Sequence, residues 1–220
     1  SQPSPDAFLA AVRAAEDGGE ESVIVTLSSG LSGTYQSACT AKTLSESDRC
    51  YVVDSLNGTG GERLLVEYAV RLRDQGRSAR EIAEALEDAR TKVILYACMD
   101  TLEYLHRGGR ISHTVYRLGS IAHVKPILHV DPLGRAEIPV KTLGMRKGMD
   151  FLCKQIASDP PDPDYPFCVM YTGNRRNGEV LAQRLRDLGY PLPDHRIVNV
   201  GAAVGAHIGP DACGIAYMGY

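Results

Sequence analysis

Along the chain, apolar positions fall first into short continuous runs separated by helix-spaced sets, and later into a succession of short runs. Ser22–Leu27 (SVIVTL) is an apolar, β-branched run that predicts a buried strand, emptying into the Gly/Ser loop Ser28–Gly33. Upstream, Ser4 is a good N-cap and Pro5 a good first helical residue. Phe8, Leu9 and Val12 then share a face, so a short helix is expected to about Glu16. A further helix is expected to start near Gly33. Cys50–Asp54 (CYVVD) reads as a second strand, closed by Ser55 and the glycine turn Gly58–Gly61. Leu64, Leu65, Tyr68, Ala69 and Leu72 recur at helical spacing up to Gly76, a C′ residue by its position. Ser78 and Glu81 form a capping-box pattern, and Ile82, Ala85, Leu86 and Ala89 continue the helical period. Strand–helix alternation of this kind predicts a parallel α/β layer.

From Lys92 strands dominate. Val93–Cys98, Pro126–Val130, Ala136–Lys141, Phe167–Tyr171, Arg196–Val200 and Cys213–Met218 are short apolar runs that predict a mixed or antiparallel six-stranded sheet. Helical segments interrupt them near Arg146–Ala157 and after Asn174, where Leu181, Leu185 and Leu188 share a face before Gly189. The stretch 159–166 is too proline-rich for either regular element and is expected to be an exposed connector. The expected organisation is two domains, residues 1–91 and 92–220.

Composition narrows the function classes. Hydrophobic residues make up 44% and charged residues 23% of 220, an ordinary globular balance. A formal charge of −3, with no aromatic stacking platform beside the one dense basic stretch at His106–Arg110, argues against nucleic acid. The six cysteines are scattered without a C-x-x-C pair and the histidines without metal-ligand spacing, so neither a metal site nor a cofactor is expected. Free cysteines within apolar runs, with no signal-like or membrane-spanning run, suggest a reduced, cytoplasmic setting.

Three loops carry candidate chemistry. Ser28–Thr34 lies between a buried strand and a helix start, where first-turn N–H groups favour an anion, and Ser32 has a hydroxyl to donate. Ser32 as a plain helix cap is the alternative. His207 lies in the small-residue stretch Gly201–Pro210, read as a loop between two strands, where the imidazole has room to reach a ligand or to bond backbone. Asp100–Ile111 starts at a strand end and mixes charge with a Gly-Gly bend. There Arg110 either balances an anion, meets a partner, or belongs to a solvated turn.

Together these stretches resemble the DegV family over nearly the whole chain. They are SQPSP at the start, SSGLSGTYQSA at Ser28–Ala38, VVDS at Val52–Ser55, DTLEYLHRGGRIS at Asp100–Ser112, KPIL at Lys125–Leu128, TGN at Thr172–Asn174 and GAHIGPDACG at Gly205–Gly214. The resemblance implies a two-domain DegV-like (EDD) α/β fold, a parallel layer followed by the mixed six-stranded sheet with helices. It implies a bacterial, non-catalytic carrier that holds a long-chain fatty acid by its carboxylate and presents it to a separate fatty-acid kinase, with transient membrane contact. Ser32 and His207 are then expected on the carboxylate, Gly33 in the cradle and Arg110 at the site mouth or on the partner. The acyl tail is expected in a buried tunnel lined from Val93–Cys98, Phe167–Tyr171 and Ile121–Leu128. The family's first strand, and the threonine that usually precedes SQPSP, fall before Ser1, so an N-terminal segment is expected to be missing here. Leu143 stands where family members often carry arginine. Two rival readings of the same residues are a serine hydrolase built on Ser32, His207 and Asp100, and a binding module for a phosphorylated metabolite.

Overall fold

The computed structural model describes residues 2–119 and 123–220. Ser1 of the SQPSP motif, and Ile121 at the head of the Ile121–Leu128 stretch, lie outside the described residues. The chain divides into two compact units, one running through Lys92 and including Pro132–Arg135, the other comprising Val93–Asp131 and Ala136–Tyr220.

In the first unit, β1 (Ser22–Thr26) and β2 (Cys50–Asp54) pair in parallel from Ser22↔Cys50 to Thr26↔Asp54. Their connection is α2 (Thr34–Ser45), which also packs on α1 (Pro5–Asp17). The first helix starts as its sequence dictates, with Ser4 accepting the N–H of Ala7 at 3.4 Å and proline in the first turn. Helices α3 (Gly60–Asp74) and α4 (Ala79–Ala89) complete the layer, and the Ser78–Glu81 capping box forms with both reciprocal bonds. The helix-spaced leucines are the core. Leu65 and Leu86 have no exposed surface and Leu64 almost none. Burying such a side chain is worth about 1.5–3 kcal/mol, which explains why the amphipathic period survives folding intact.

The second unit is a six-stranded sheet in the order β5-β4-β3-β8-β6-β7. Its strands are β3 (Val93–Cys98), β4 (Val124–Val130), β5 (Ala136–Leu143), β6 (Cys168–Tyr171), β7 (Ile197–Asn199) and β8 (Cys213–Met218). All pairs are antiparallel except β6 with β7. The expected mixed sheet is therefore observed. Proline at position 139 sits on β5, an edge strand, where a missing N–H breaks no interior rung.

Because strand side chains alternate, β3 and β4 feed two different cores. Cys98, Ile127, Val169 and Ile215 pack with Leu152 and Ile156 of α7 (Gly144–Ser158) and Leu181 and Leu185 of α8 (Arg176–Asp187). Their neighbours Ala97 and Leu128 join Leu102, Leu105, Ile111 and Ala212 in a second cluster. That second cluster lies under three short helices, α5 (Glu103–Arg107), α6 (His113–Gly119) and α9 (Ala202–Ile208). Within this unit the sheet period thus places the long helices α7 and α8 on one side and the segments that carry Arg110 and His207 on the other. Among the described residues no helix is long and apolar enough to cross a membrane, and the six cysteines are all free.

Candidate functional site

The first polar cluster forms where β1 and β2 end side by side, the carboxyl edge at which α/β layers hold ligands. Ser28 follows β1 and is fully buried. Its hydroxyl donates to the Gly134 carbonyl at 2.7 Å and accepts the Gly30 N–H at 3.1 Å. Asp54, the last residue of β2, accepts the N–H groups of Ser29 and Leu56 on Oδ1 at 3.1 and 3.0 Å. The Ser28 carbonyl in turn accepts from Leu31 and Ser32, each at 3.0 Å. A buried hydroxyl and a buried carboxylate, both satisfied, therefore hold the loop in one shape and deliver Ser32 and Gly33 to the start of α2.

Gly33, not Ser32, is the N-cap of α2, and no side chain occupies the cap. The half-buried Ser32 hydroxyl lies 2.9 Å from Thr34 Oγ1 and accepts the Thr34 N–H at 3.3 Å. A Cβ at Gly33 would come within 2.1 Å of Gln2 Oε1. Gln2 also donates to the Ser37 hydroxyl at 3.1 Å, so it lies across the first turn of α2. Sequence reasoning did not single out Gln2; only its membership of SQPSP marks it.

The second cluster belongs to the other unit. His207 sits on α9, a helix where the small residues Gly201–Ala206 had suggested a loop. Alanine is the best helix former, and it outweighs Gly205 in this short turn-rich stretch. A Cβ at Gly108 would fall 2.0 Å from His207 Nδ1, so the bend between α5 and α6 packs its bare backbone against the imidazole. Burial, then the nearby Arg110 guanidinium, lowers the His207 pKa below its ordinary 6.5 and so favours the uncharged ring. Arg110 is exposed and turns its Nη1 onto the Gly108 carbonyl. Arg110, Gly108 and His207 thus meet within one unit, while Ser32 and Gly33 belong to the other. Asp100, the acid of the hydrolase reading, is engaged elsewhere: its carboxylate pairs with Lys125 at 2.5 Å.

Both clusters offer neutral hydrogen-bond donors or a cation, the complement of a carboxylate or phosphate. Among the described residues no three His, Cys, Asp or Glu side chains converge as metal ligands. A family model described as "Uncharacterised protein, DegV family" matches residues 1–219. The chain belongs to the DegV family. A DegV domain-containing protein, YteA, of Lactococcus lactis is 38% identical over 191 residues, a match covering 84% of this chain and 64% of that relative. The chain therefore spans less than two thirds of that relative's length. A solved structure from Thermus thermophilus, described as fatty acid binding of a DegV family protein, superposes with a TM-score of 0.87. The two are 28% identical over 99% of this DegV chain and 78% of the other. The Streptococcus pneumoniae Fatty Acid Kinase (Fak) B3 protein, solved loaded with linoleic acid, matches with a TM-score of 0.86. It is 23% identical and the match covers 99% of this chain and 77% of that one, a likeness of fold.

Proposed function

We propose that this DegV protein is a carrier of a long-chain fatty acid. In this reading Ser32 and Gly33 of the first unit and His207 of the second supply the polar contacts to the carboxylate, and the acyl tail is buried in the protein. The carrier is non-catalytic on its own and presents the carboxylate to a fatty-acid kinase for phosphorylation. The observation that carries the reading is the loop after β1: its buried Ser28 and Asp54 anchors hold Ser32 beside a helix start whose N-cap, Gly33, makes no side-chain capping bond. The Thermus thermophilus relative, described by its fatty-acid binding, supports the ligand class.

The energetics match a lipid acid. Each buried methylene contributes roughly 0.8 kcal/mol, so the tail carries the affinity. Each hydrogen bond to the charged head adds about 1.5–3 kcal/mol, which fixes orientation and rejects neutral lipids.

The test is organic extraction of the purified protein followed by mass spectrometry, with binding of a fluorescent fatty acid measured in parallel. A co-purifying fatty acid is expected. Ser32→Ala and His207→Ala should each weaken binding by about tenfold to a hundredfold, as the loss of one charge-assisted bond dictates, with thermal stability retained. Wild-type affinity in both variants removes the proposed carboxylate contacts.

A further inference from the structure

A pair of histidines stands apart from the carboxylate chemistry. His106 closes α5 and His113 opens α6, and the bend between them carries Gly108 and Arg110. His106 Nε2 and His113 Nδ1 lie 3.2 Å apart at the surface. Imidazole nitrogens bind divalent transition metals at about 2.0–2.1 Å, and angles of roughly 90–109° at the ion then separate two such nitrogens by about 2.9–3.4 Å. The observed spacing falls inside that range. Tyr116 stacks on the His106 ring at 4.4 Å between centroids and 11° between planes, which fixes the ring's orientation. The two guanidiniums of the bend are engaged, Arg107 with Glu103 at 2.5 Å and Arg110 with the Gly108 carbonyl.

We propose that His106 and His113 form a two-imidazole site for a divalent transition-metal ion such as Zn2+ or Ni2+, which clips α5 to α6 across the bend that carries Arg110. Among the described residues no third His, Cys, Asp or Glu side chain converges there, so solvent completes the coordination in this proposal and the site is open and exchangeable. Imidazole is a ligand suited to zinc and nickel, whereas magnesium and calcium take oxygen and are excluded. The ion replaces the proton shared by the two rings, and both rings must be neutral to bind it. Because the bend packs Gly108 against His207, ion binding stiffens the backbone on which that imidazole rests.

The experiment is calorimetric titration of the full chain with NiCl2 and with ZnCl2 near neutral pH, repeated on His106→Ala, His113→Gln and the double variant, with the exposed His195→Ala as control. One ion per chain is expected, weakened at least about tenfold in each single variant, the lower bound seen even for loss of an outer-shell partner, and unchanged in the control. No saturable binding, or binding that survives in the double variant, overturns the site and leaves the two rings as a plain hydrogen-bonded pair. Neither result depends on the fatty-acid reading.

Discussion

Glu62 stands in the first turn of α3, where a helix dipole ordinarily favours a carboxylate, yet burial pushes its pKa up from 4.5 to about 7. The folded protein therefore keeps this proton longer than the unfolded chain does. Stability from this group is undiminished below the unfolded value and declines as pH rises through about 7, because the ionised form must be carried in a desolvated position. Glu62→Gln removes that charge. It should stabilise the protein by about 1–2 kcal/mol near pH 8.5, discounted for partial exposure, and by almost nothing at about pH 4, measured as urea midpoints at the two pH values. His207 shifts the other way, because burial and Arg110 both disfavour its cation. A carboxylate placed on that ring reverses the balance. Fatty acid should thus raise the His207 midpoint from below 6.5 in the free protein, followed by the ring C–H resonance in an NMR titration. An unmoved midpoint on saturation would separate His207 from the ligand's head.

At the scale of elements, the loop after β1 depends on a turn about a hundred residues later in the chain. The residues joining β4 to β5 count with the first unit, and Gly134 there adopts φ +73° with its carbonyl accepting from Ser28. A Cβ on Gly134 would meet Ser28 Oγ at 2.0 Å and Leu56 Cα at 3.1 Å. Gly134→Ala should therefore destabilise by about 1–3 kcal/mol through both strain and displacement. It should also loosen fatty-acid binding, since the Ser28 hydroxyl that moves is the one shaping the Ser32 loop; denaturation and binding measured together check both halves. That dependence illustrates what local pattern conveys and what it does not. Helices α1, α3, α4, α7 and α8 and all the strands were legible because each buries a face at its own period over enough residues to be counted. The three short helices α5, α6 and α9 were not, because their length is two turns or less and glycines break the period. Ser32 and His207 stood out by residue type and neighbours. Gln2 over Gly33, Gly134 beneath Ser28 and the His106–His113 pair arise from tertiary contacts that no spacing encodes.

For the molecule as a whole, the proposed handover separates retention of the lipid from its delivery, and Arg110 is where the two part company. The side chain is exposed, and its charge lowers the imidazole pKa of His207. Removing it deletes no proposed contact to the acyl carboxylate, so affinity for fatty acid should change by less than about threefold, the size of a screened surface interaction. Phosphorylation is a different demand. A kinase that moves a phosphoryl group from nucleotide to the carboxylate oxygen builds negative charge at the transfer site, and a planar, permanently charged guanidinium is the side chain suited to meet that charge or the partner's acidic surface. Arg110→Ala should then cut acyl-phosphate formation by about tenfold or more in a coupled assay with a fatty-acid kinase, with lipid retention nearly intact. Arg110→Lys should restore only part of the rate, since an ammonium keeps the charge and loses the fork. Leu143, 64% exposed at the end of β5, gives the complementary probe: Leu143→Arg supplies the residue common at this place in the family and should raise turnover if the kinase reads that surface. Full turnover in Arg110→Ala would confine this arginine to setting the charge state of His207, a role that the imidazole titration detects as a higher midpoint in the same variant.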